Sequence, residues 1–314
     1  MSTAPELEQL QERLRDACGG DDRRLFALLD GARLKGLPVF LKEIGAEHAC
    51  LYRGRPVVEF PHVAPYLVWV PLSSLLLPWI LIDTAAAASV IFLVVDGTAN
   101  EVYKHLRRFL IVLDPRGGEN FLRFYDPRVL KPFLEACTPE EKAQFFGPIR
   151  MMLACDSIPP IKDPLFSSWR APEIAQQPAP PNARDKFKLR PEHEAAFAED
   201  AMERYEDRCV AHLKASYYKP LENQSDDEVR EIVVKARETA NTLEIHAGRD
   251  VTALAEAMVL GLTETDVQSV QAAPAIDRPR LVREMRDRYL MGTGCAEPLG
   301  LKRAVSASGG APRA

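Results

Sequence analysis

Short apolar runs alternate with turn residues through the first half of the chain. Buried strands are predicted at 25–29, 49–52, 66–70 and 90–95, because each run is four to six residues of mostly branched, aromatic or other apolar side chains. Gly, Pro and Asp lie between these runs and favour turns. Apolar positions at helical spacing predict a short helix over about 34–44.

Helix start signals and a hairpin follow these strands. Thr98 and Glu101 form a capping box that opens a helix to about residue 108. Apolar runs at 109–113 and 121–125 flank the turn sequence that begins at Asp114, which predicts a hairpin. This alternation predicts a mixed β-sheet with helices packed on it, an α+β or α/β lobe.

The chain changes character after residue 155. Seven prolines lie between residues 156 and 185, a density that regular elements do not tolerate. Amphipathic helices with capping boxes follow, one of them opened by Ser225 and Glu228. The predicted parts are a mixed α/β lobe, a proline-rich linker, an all-helical lobe and a disordered tail, at residues 1–155, 156–185, 186–291 and 292–314.

Twenty consecutive uncharged residues, 63–82, raise the question of a membrane span. Pro65, Pro71 and Pro78 interrupt the run, and no cluster of Lys or Arg flanks it. A buried passage of strand, loop and helix therefore explains the run better than a membrane span.

Composition points to a cytoplasmic protein without a nucleic-acid partner. The net charge is −5 at pH 7, and the basic residues are not concentrated in either half. The first residues lack the apolar core of a secretory signal. Six cysteines are scattered without a C-x-x-C pair, as expected for free thiols in a reducing compartment.

The sequence lacks the common catalytic and cofactor motifs. No G-x-G-x-x-G, G-x-x-x-x-G-K-[ST] or G-x-S-x-G pattern occurs. His193 and Glu194 begin a zinc-protease pattern, but Phe197 replaces the second His, which indicates a solvated helix start. Cys209 and His212 supply only half of a zinc site. Neither a cofactor nor a metal site is predicted.

Two Asp-Gly pairs end predicted strands, at Asp30 and Asp96. Carboxylates at strand ends bind metal or phosphate in many α/β enzymes. The same pairs also serve as turns, because Asp bonds its own backbone and Gly accepts positive φ. An enzyme that uses Asp30 and Asp96 with Arg128 therefore stays an alternative.

The densest polar sequence is a six-residue motif after the predicted hairpin. Its members are Arg123, Phe124, Tyr125, Asp126, Pro127 and Arg128. In a strand, Arg123 and Tyr125 would share one face and Phe124 the other. Asp126 is expected to cap the next helix, and Arg128 lies in its first turn, where the helix dipole disfavours a cation. Such a cation needs a specific partner, either Asp30 or Asp96 within the fold or a group on another protein.

The motif and four further segments resemble the "domain of unknown function" family of type VI secretion effector chaperones, the Tap/Tec adaptors. The resemblance covers about residues 24–155, and the motif is its most specific part. The segments that carry it are 25–32, 51–54, 64–68, 121–130 and 145–148.

The resemblance implies a cytoplasmic, non-enzymatic adaptor that binds one toxic effector and helps to load it onto the VgrG spike. The expected partners are the effector and VgrG, and the family motif falls on residues 123–128. An immunity-type or regulatory binding protein is a further alternative. An adaptor of this kind needs a partly apolar groove for its cargo. Candidate groove residues are Tyr66, Trp69, Trp79, Tyr217 and Tyr218.

Overall fold

A six-stranded sheet forms the centre of the first of two units. In a computed structural model, the residues described are 4–21, 24–82, 89–155, 166–173 and 186–292. The chain divides into residues 1–199 and residues 200–314. The fold class is confirmed: an N-terminal lobe of strands and helices precedes a helical region.

The sheet has the order β2-β3-β1-β4-β7-β8, and a separate hairpin pairs β5 with β6. The strands are β1 (Leu25–Asp30), β2 (His48–Cys50), β3 (Pro65–Trp69), β4 (Val90–Val95), β5 (Ile111–Leu113), β6 (Glu119–Phe121), β7 (Ile149–Cys155) and β8 (Phe166–Arg170). Every pairing between these described strands is antiparallel, whereas the alternation of elements predicted a mixed sheet. β1 and β2 run in the same direction, as do β3 and β4, but in each case a strand of the opposite direction lies between them in the sheet.

Helices cover both faces of the sheet in the first unit. They are α1 (Ala4–Cys18), α2 (Leu37–Glu43), α3 (Arg55–Glu59), α4 (Leu76–Ile82), α5 (Ala99–Leu106), α6 (Pro127–Ala136) and α7 (Pro139–Phe146). Every residue of β1 and β4 is buried. Alternate residues of β1 enter two different cores: Ala27 and Leu29 pack with residues of α1, α2 and α4, while Phe26 and Leu28 pack with α5, α6 and α7. A strand covered on both faces needs apolar residues throughout, which explains the continuous apolar runs.

The uncharged run forms the end of a 3-10 turn, then β3, a loop and α4. The predicted passage of strand, loop and helix is therefore confirmed. None of the described helices has both the length and the apolar content that crossing a bilayer requires.

Two segments change the predicted domain boundaries. Within the predicted linker, β8 pairs with β7 at the edge of the sheet. Beyond the linker, Phe187 and Leu189 are buried in the core, and the backbone of Leu113 bonds to both. The first unit therefore runs past the predicted start of the helical lobe at residue 186. Parts of the predicted linker and tail lie outside the described residues, namely 156–165, 174–185 and 293–314. The last of these ranges is nearly all of the predicted tail.

The second unit is built from helices around its own core. Its described helices are the later part of α8 (Pro191–Ser216), α9 (Tyr218–Leu221), α10 (Asp226–Thr242), α11 (Gly248–Leu260), α12 (Glu264–Gln271) and α13 (Arg278–Leu290). Two acids of α11 are buried, and both are paired with arginines of α13. Arg283 pairs with Asp250, while Glu256 accepts from Arg286 at 3.0 Å and lies 2.7 Å from His212 Nε2.

Candidate functional site

The six-residue motif covers the turn between β6 and α6 and the first two residues of α6. The strand ends at Phe121, and the N–H of Asp126 donates to the carbonyl of Arg123 at 2.9 Å. The predicted alternation of faces is therefore wrong: Phe124 and Tyr125 are both buried in the same core. The helix start is confirmed, because Asp126 is the N-cap of α6 and accepts from the N–H of Arg128, with Pro127 at the first helical position.

Charged side chains from this turn meet the end of β1. We call Asp30, Arg33, Arg123, Asp126 and Arg128 the arginine–aspartate cluster. Arg123 Nη2 donates to Asp30 Oδ2 at 2.5 Å, and Asp30 Oδ1 accepts from the N–H of Ala32. Arg128 donates to both oxygens of Asp126, at 2.9 and 2.6 Å. Both carboxylates are buried, whereas the side chains of Arg123 and Arg128 are 40% and 42% exposed.

The two carboxylates have opposite electrostatic balances. Burial raises the pKa of Asp30, and this effect outweighs the charge and hydrogen bond of Arg123. Burial also acts to raise the pKa of Asp126, but the hydrogen bonds and charge of Arg128 prevail, and the pKa falls below its usual value. The surroundings therefore favour the anionic form of Asp126 and disfavour the anionic form of Asp30.

An aromatic layer adjoins the cluster. The guanidinium of Arg123 lies over the Tyr125 ring, 5.6 Å from its centroid. Tyr125 is buried, with its hydroxyl 3.4 Å from that of Tyr52. Phe121 contacts the rings of both tyrosines edge-on and is 45% exposed. A half-exposed aromatic side chain therefore lies close to the half-exposed guanidinium of Arg123.

Sequence reasoning named Asp30 and Asp96 as neighbours, and the structure separates them. Because β1 and β4 are antiparallel, the carboxyl ends of the two strands lie at opposite ends of the sheet. Asp96 lies instead beside the start of β1, where Arg24 Nη1 donates to it at 3.2 Å. Arg128 pairs with Asp126 rather than with Asp30 or Asp96.

The predicted groove residues do not form one surface within the first unit. Tyr66 is buried, and its hydroxyl donates to the carbonyl of Pro61 at 2.8 Å. Trp79 is half-buried and stacks on Phe40, with centroids 4.5 Å apart. Trp69 lines a cavity of about 300 Å³ with residues from β1, β2, β3 and α5. The groove stays a prediction at Trp69, while Tyr66 belongs to the core.

Two further groove candidates lie in the second unit. Tyr217 is half-buried against the helical core. Tyr218 is 66% exposed, and its hydroxyl lies 3.4 Å from a carboxylate oxygen of Glu222. Of the two, only Tyr218 presents most of its ring to solvent.

Buried Cys137 and His193 and half-buried Glu141 offer three ligand types within reach of one cation. The geometry does not fit a metal ion. His193 Nδ1 accepts the N–H of Arg190 at 3.0 Å, so the ring proton of the neutral imidazole lies on Nε2, 3.4 Å from Cys137 Sγ. A metal would need the lone pair of that Nε2. Burial also raises the pKa of Cys137 to about 12, and Glu141 is bound by Arg190.

The burial of His193 corrects the predicted solvated helix start. The ring is fully buried and stacks on Phe133, with centroids 5.4 Å apart. The first turn of α8 belongs to the core of the first unit, and sequence spacing did not show this. Elsewhere, Cys209 Sγ lies 3.5 Å from the hydroxyl of Thr252, and His212 pairs with Glu256, so both residues are engaged with protein groups.

Arg33 is the residue of the arginine–aspartate cluster that sequence analysis missed. It lies three positions after Asp30, in the turn that leaves β1, and its Nη1 is 3.8 Å from Asp126 Oδ1. The sequence feature that indicated this position was a cation in the Asp-Gly turn. The chain turns back beside the end of its own strand there, and this places the cation near Asp30.

A family model described as "Domain of unknown function (DUF4123)" matches residues 25–144. The matched stretch contains the whole arginine–aspartate cluster and runs from β1 into α7. Comparison with curated proteins and with solved structures found no significant match.

Proposed function

From this match we propose that the protein is an adaptor of a type VI secretion system, which binds one effector and promotes its loading onto the VgrG spike. The observation that carries the proposal is the match of DUF4123 over residues 25–144, because this family is known in effector adaptors of that system. The same stretch carries the six-residue motif. In this role the protein acts in the cytoplasm and catalyses no reaction.

The geometry of the motif supports a binding role. Within the motif, Arg128 donates a hydrogen bond to Asp126. The other arginine of the motif, Arg123, donates to Asp30 at the end of β1. The enzyme alternative requires Asp30 and Asp96 to act together, yet they lie at opposite ends of the sheet and each is bonded to an arginine. Exposed Arg and aromatic side chains are the residues that dominate binding energy at protein interfaces.

Loading requires selective binding rather than chemistry. An adaptor that binds only the loading-competent state of its effector stabilises that state by RT ln(1 + [L]/Kd). At a free adaptor concentration 100 times Kd, this amounts to about 2.7 kcal/mol. The effector is then held in that state until the spike takes it up.

The test is co-expression of the full chain with the product of the gene next to its own, followed by affinity purification. We expect a stable complex, and loss of effector secretion when the adaptor gene is deleted. Complementation with Asp96→Asn should restore secretion, because Asp96 lies in an exposed ion pair far from the motif. Failure of the chain to bind any effector or VgrG, together with unchanged secretion after deletion, would refute the proposal.

A toxin-protection assay separates the immunity alternative. The effector is expressed in cells that have no secretion apparatus, with or without this protein. An adaptor should leave the toxicity of a folded effector largely unchanged. Full protection would favour the immunity reading instead.

A further inference from the structure

The arginine–aspartate cluster carries more positive than negative charge. Three guanidinium groups surround two carboxylates, so the guanidinium groups of the cluster outnumber its carboxylates by one. Arg128 repels Arg33 across the cluster, and burial together with this repulsion lowers the pKa of Arg33. A guanidinium in such surroundings lowers the stability of the fold.

Two donors in the cluster have no acceptor among the described residues. Arg33 Nη1 and Arg123 Nε are buried and make no hydrogen bond within the part of the chain that the structure describes. The 3.8 Å between Arg33 Nη1 and Asp126 is too long for one. A buried donor without an acceptor costs free energy, because it has lost its water and gained nothing in return. Both donors lie on groups that carry positive charge, and such donors bond most strongly to an anionic acceptor.

The cluster is accessible from solvent on one side. The side chains of Arg123 and Arg128 are 40% and 42% exposed, and that of Arg33 is 22% exposed. Phe121, 45% exposed, is connected to Arg123 through the Tyr125 ring, which both residues contact. The surface therefore offers a charged site for one anionic group and an apolar site next to it.

We propose that this surface binds an Asp or Glu side chain of the effector, with an apolar neighbour of that residue packed on Phe121. The inference rests on the proposed function, because it assigns the adaptor a docking site for its cargo. The cluster has one guanidinium group more than it has carboxylates, which suits one further carboxylate, and a planar carboxylate fits the fork of a guanidinium. A protein partner supplies the carboxylate and the apolar contact together.

The variant that tests the site is Arg33→Gln. Arg33 makes no short bond to either buried carboxylate, so its removal leaves the Arg123–Asp30 and Arg128–Asp126 pairs in place. The expected result is a loss of effector affinity of roughly 10- to 100-fold in isothermal titration calorimetry, with an unfolding temperature unchanged or raised. Arg33→Lys, which keeps the charge, should recover part of the affinity.

Arg24→Gln is the matched control. Arg24 is 44% exposed and pairs with an aspartate at the opposite end of the same sheet. The control removes the same charge and should leave the affinity unchanged. In addition, an Asp or Glu of the effector changed to Arg should restore binding to Arg33→Glu and to no other variant.

The outcomes separate the two proposals. If wild type does not bind the effector, the proposed function fails. If wild type binds and Arg33→Gln binds equally well, the docking site is wrong while the function stands. Equal losses in Arg24→Gln and Arg33→Gln would show only a general charge effect and overturn the site. Tight binding of inorganic phosphate to wild type, lost in Arg33→Gln without any change in effector affinity, would make the cluster a small-anion site instead.

Discussion

Removing Arg123 should destabilise the first unit in a way that depends on pH. In Arg123→Gln, the Asp30 carboxylate, fully buried, loses its ion pair and keeps only the N–H of Ala32. Breaking a buried pair by removing one partner costs about 3–5 kcal/mol. Because Arg123 is 40% exposed, solvent screens the pair, and we expect about 2–3 kcal/mol at pH 8.

The pH dependence follows from the raised pKa of Asp30. Burial already raises this pKa in the wild type, and without Arg123 it rises further. A carboxyl group whose pKa is raised in the folded state favours folding most when it is protonated, at a pH below its ordinary pKa of about 3.9. This stability is lost as the pH rises through the folded-state pKa. The deficit of Arg123→Gln relative to wild type should therefore shrink between pH 8 and pH 5.

Tryptophan fluorescence during urea unfolding measures this effect in the relevant unit. All three tryptophans, Trp69, Trp79 and Trp169, lie in the first unit. A deficit of 2–3 kcal/mol lowers the urea midpoint by about 1 M. Asp30→Asn, which removes the buried charge itself, should cost less than Arg123→Gln.

Two controls decide the outcome. Arg24→Gln, at the opposite end of the sheet, should cost at most about 1 kcal/mol, because its pair is exposed. The deficit of the double variant Asp30→Asn/Arg123→Gln should not grow as the pH rises from 5 to 8, because no carboxyl group remains at position 30. If Arg123→Gln has the same deficit at pH 5 and pH 8, the buried carboxylate is not the cause and the reasoning is refuted.

Three further predictions concern other groups. Burial lowers the pKa of His105 and of His193, so their ring NMR signals should titrate below the ordinary value of about 6.5. Each histidine site loses stability as the pH falls from about 6.5 to the folded-state pKa of that histidine. A titration midpoint at or above about 6.5 would contradict this. Cys137 is buried, and its pKa is raised to about 12. Mass spectrometry should therefore detect no alkylation of Cys137 by iodoacetamide at pH 8 until urea unfolds the first unit. Labelling of the native protein would show that the thiol is accessible. Ser225→Ala removes the cap of α10 and should cost about 1 kcal/mol in the unfolding of the second unit, measured by circular dichroism, whereas a cost near zero would mean that the capping box contributes little.

Local signals in the sequence predicted local structure well. The capping boxes at Thr98 and Ser225 and the N-cap at Asp126 form as predicted, because each depends on residues within one helical turn. The strands at 25–29 and 90–95 also form, since continuous apolar runs of that length are buried on both faces.

Strand direction and side-chain partners were not predictable in the same way. The placement of Asp96 depends on whether β4 runs with or against β1, and the 60 or so residues between them carry no local signal for that choice. Arg33 was missed, and His193 was taken for a solvated residue, because the groups that surround them come from distant segments. The family match over residues 25–144 supports the resemblance on which the proposed function depends.

The separation of Arg123 from Asp30 along the chain has a consequence for synthesis. The two residues are 93 positions apart, and β7, which flanks β4, comes later still. While the nascent chain is shorter than 123 residues, burying β1 would mean burying the Asp30 carboxylate alone. We therefore expect the N-terminal strands to stay open on the ribosome until the turn before α6 has emerged, so that the centre of the sheet closes late and in one step.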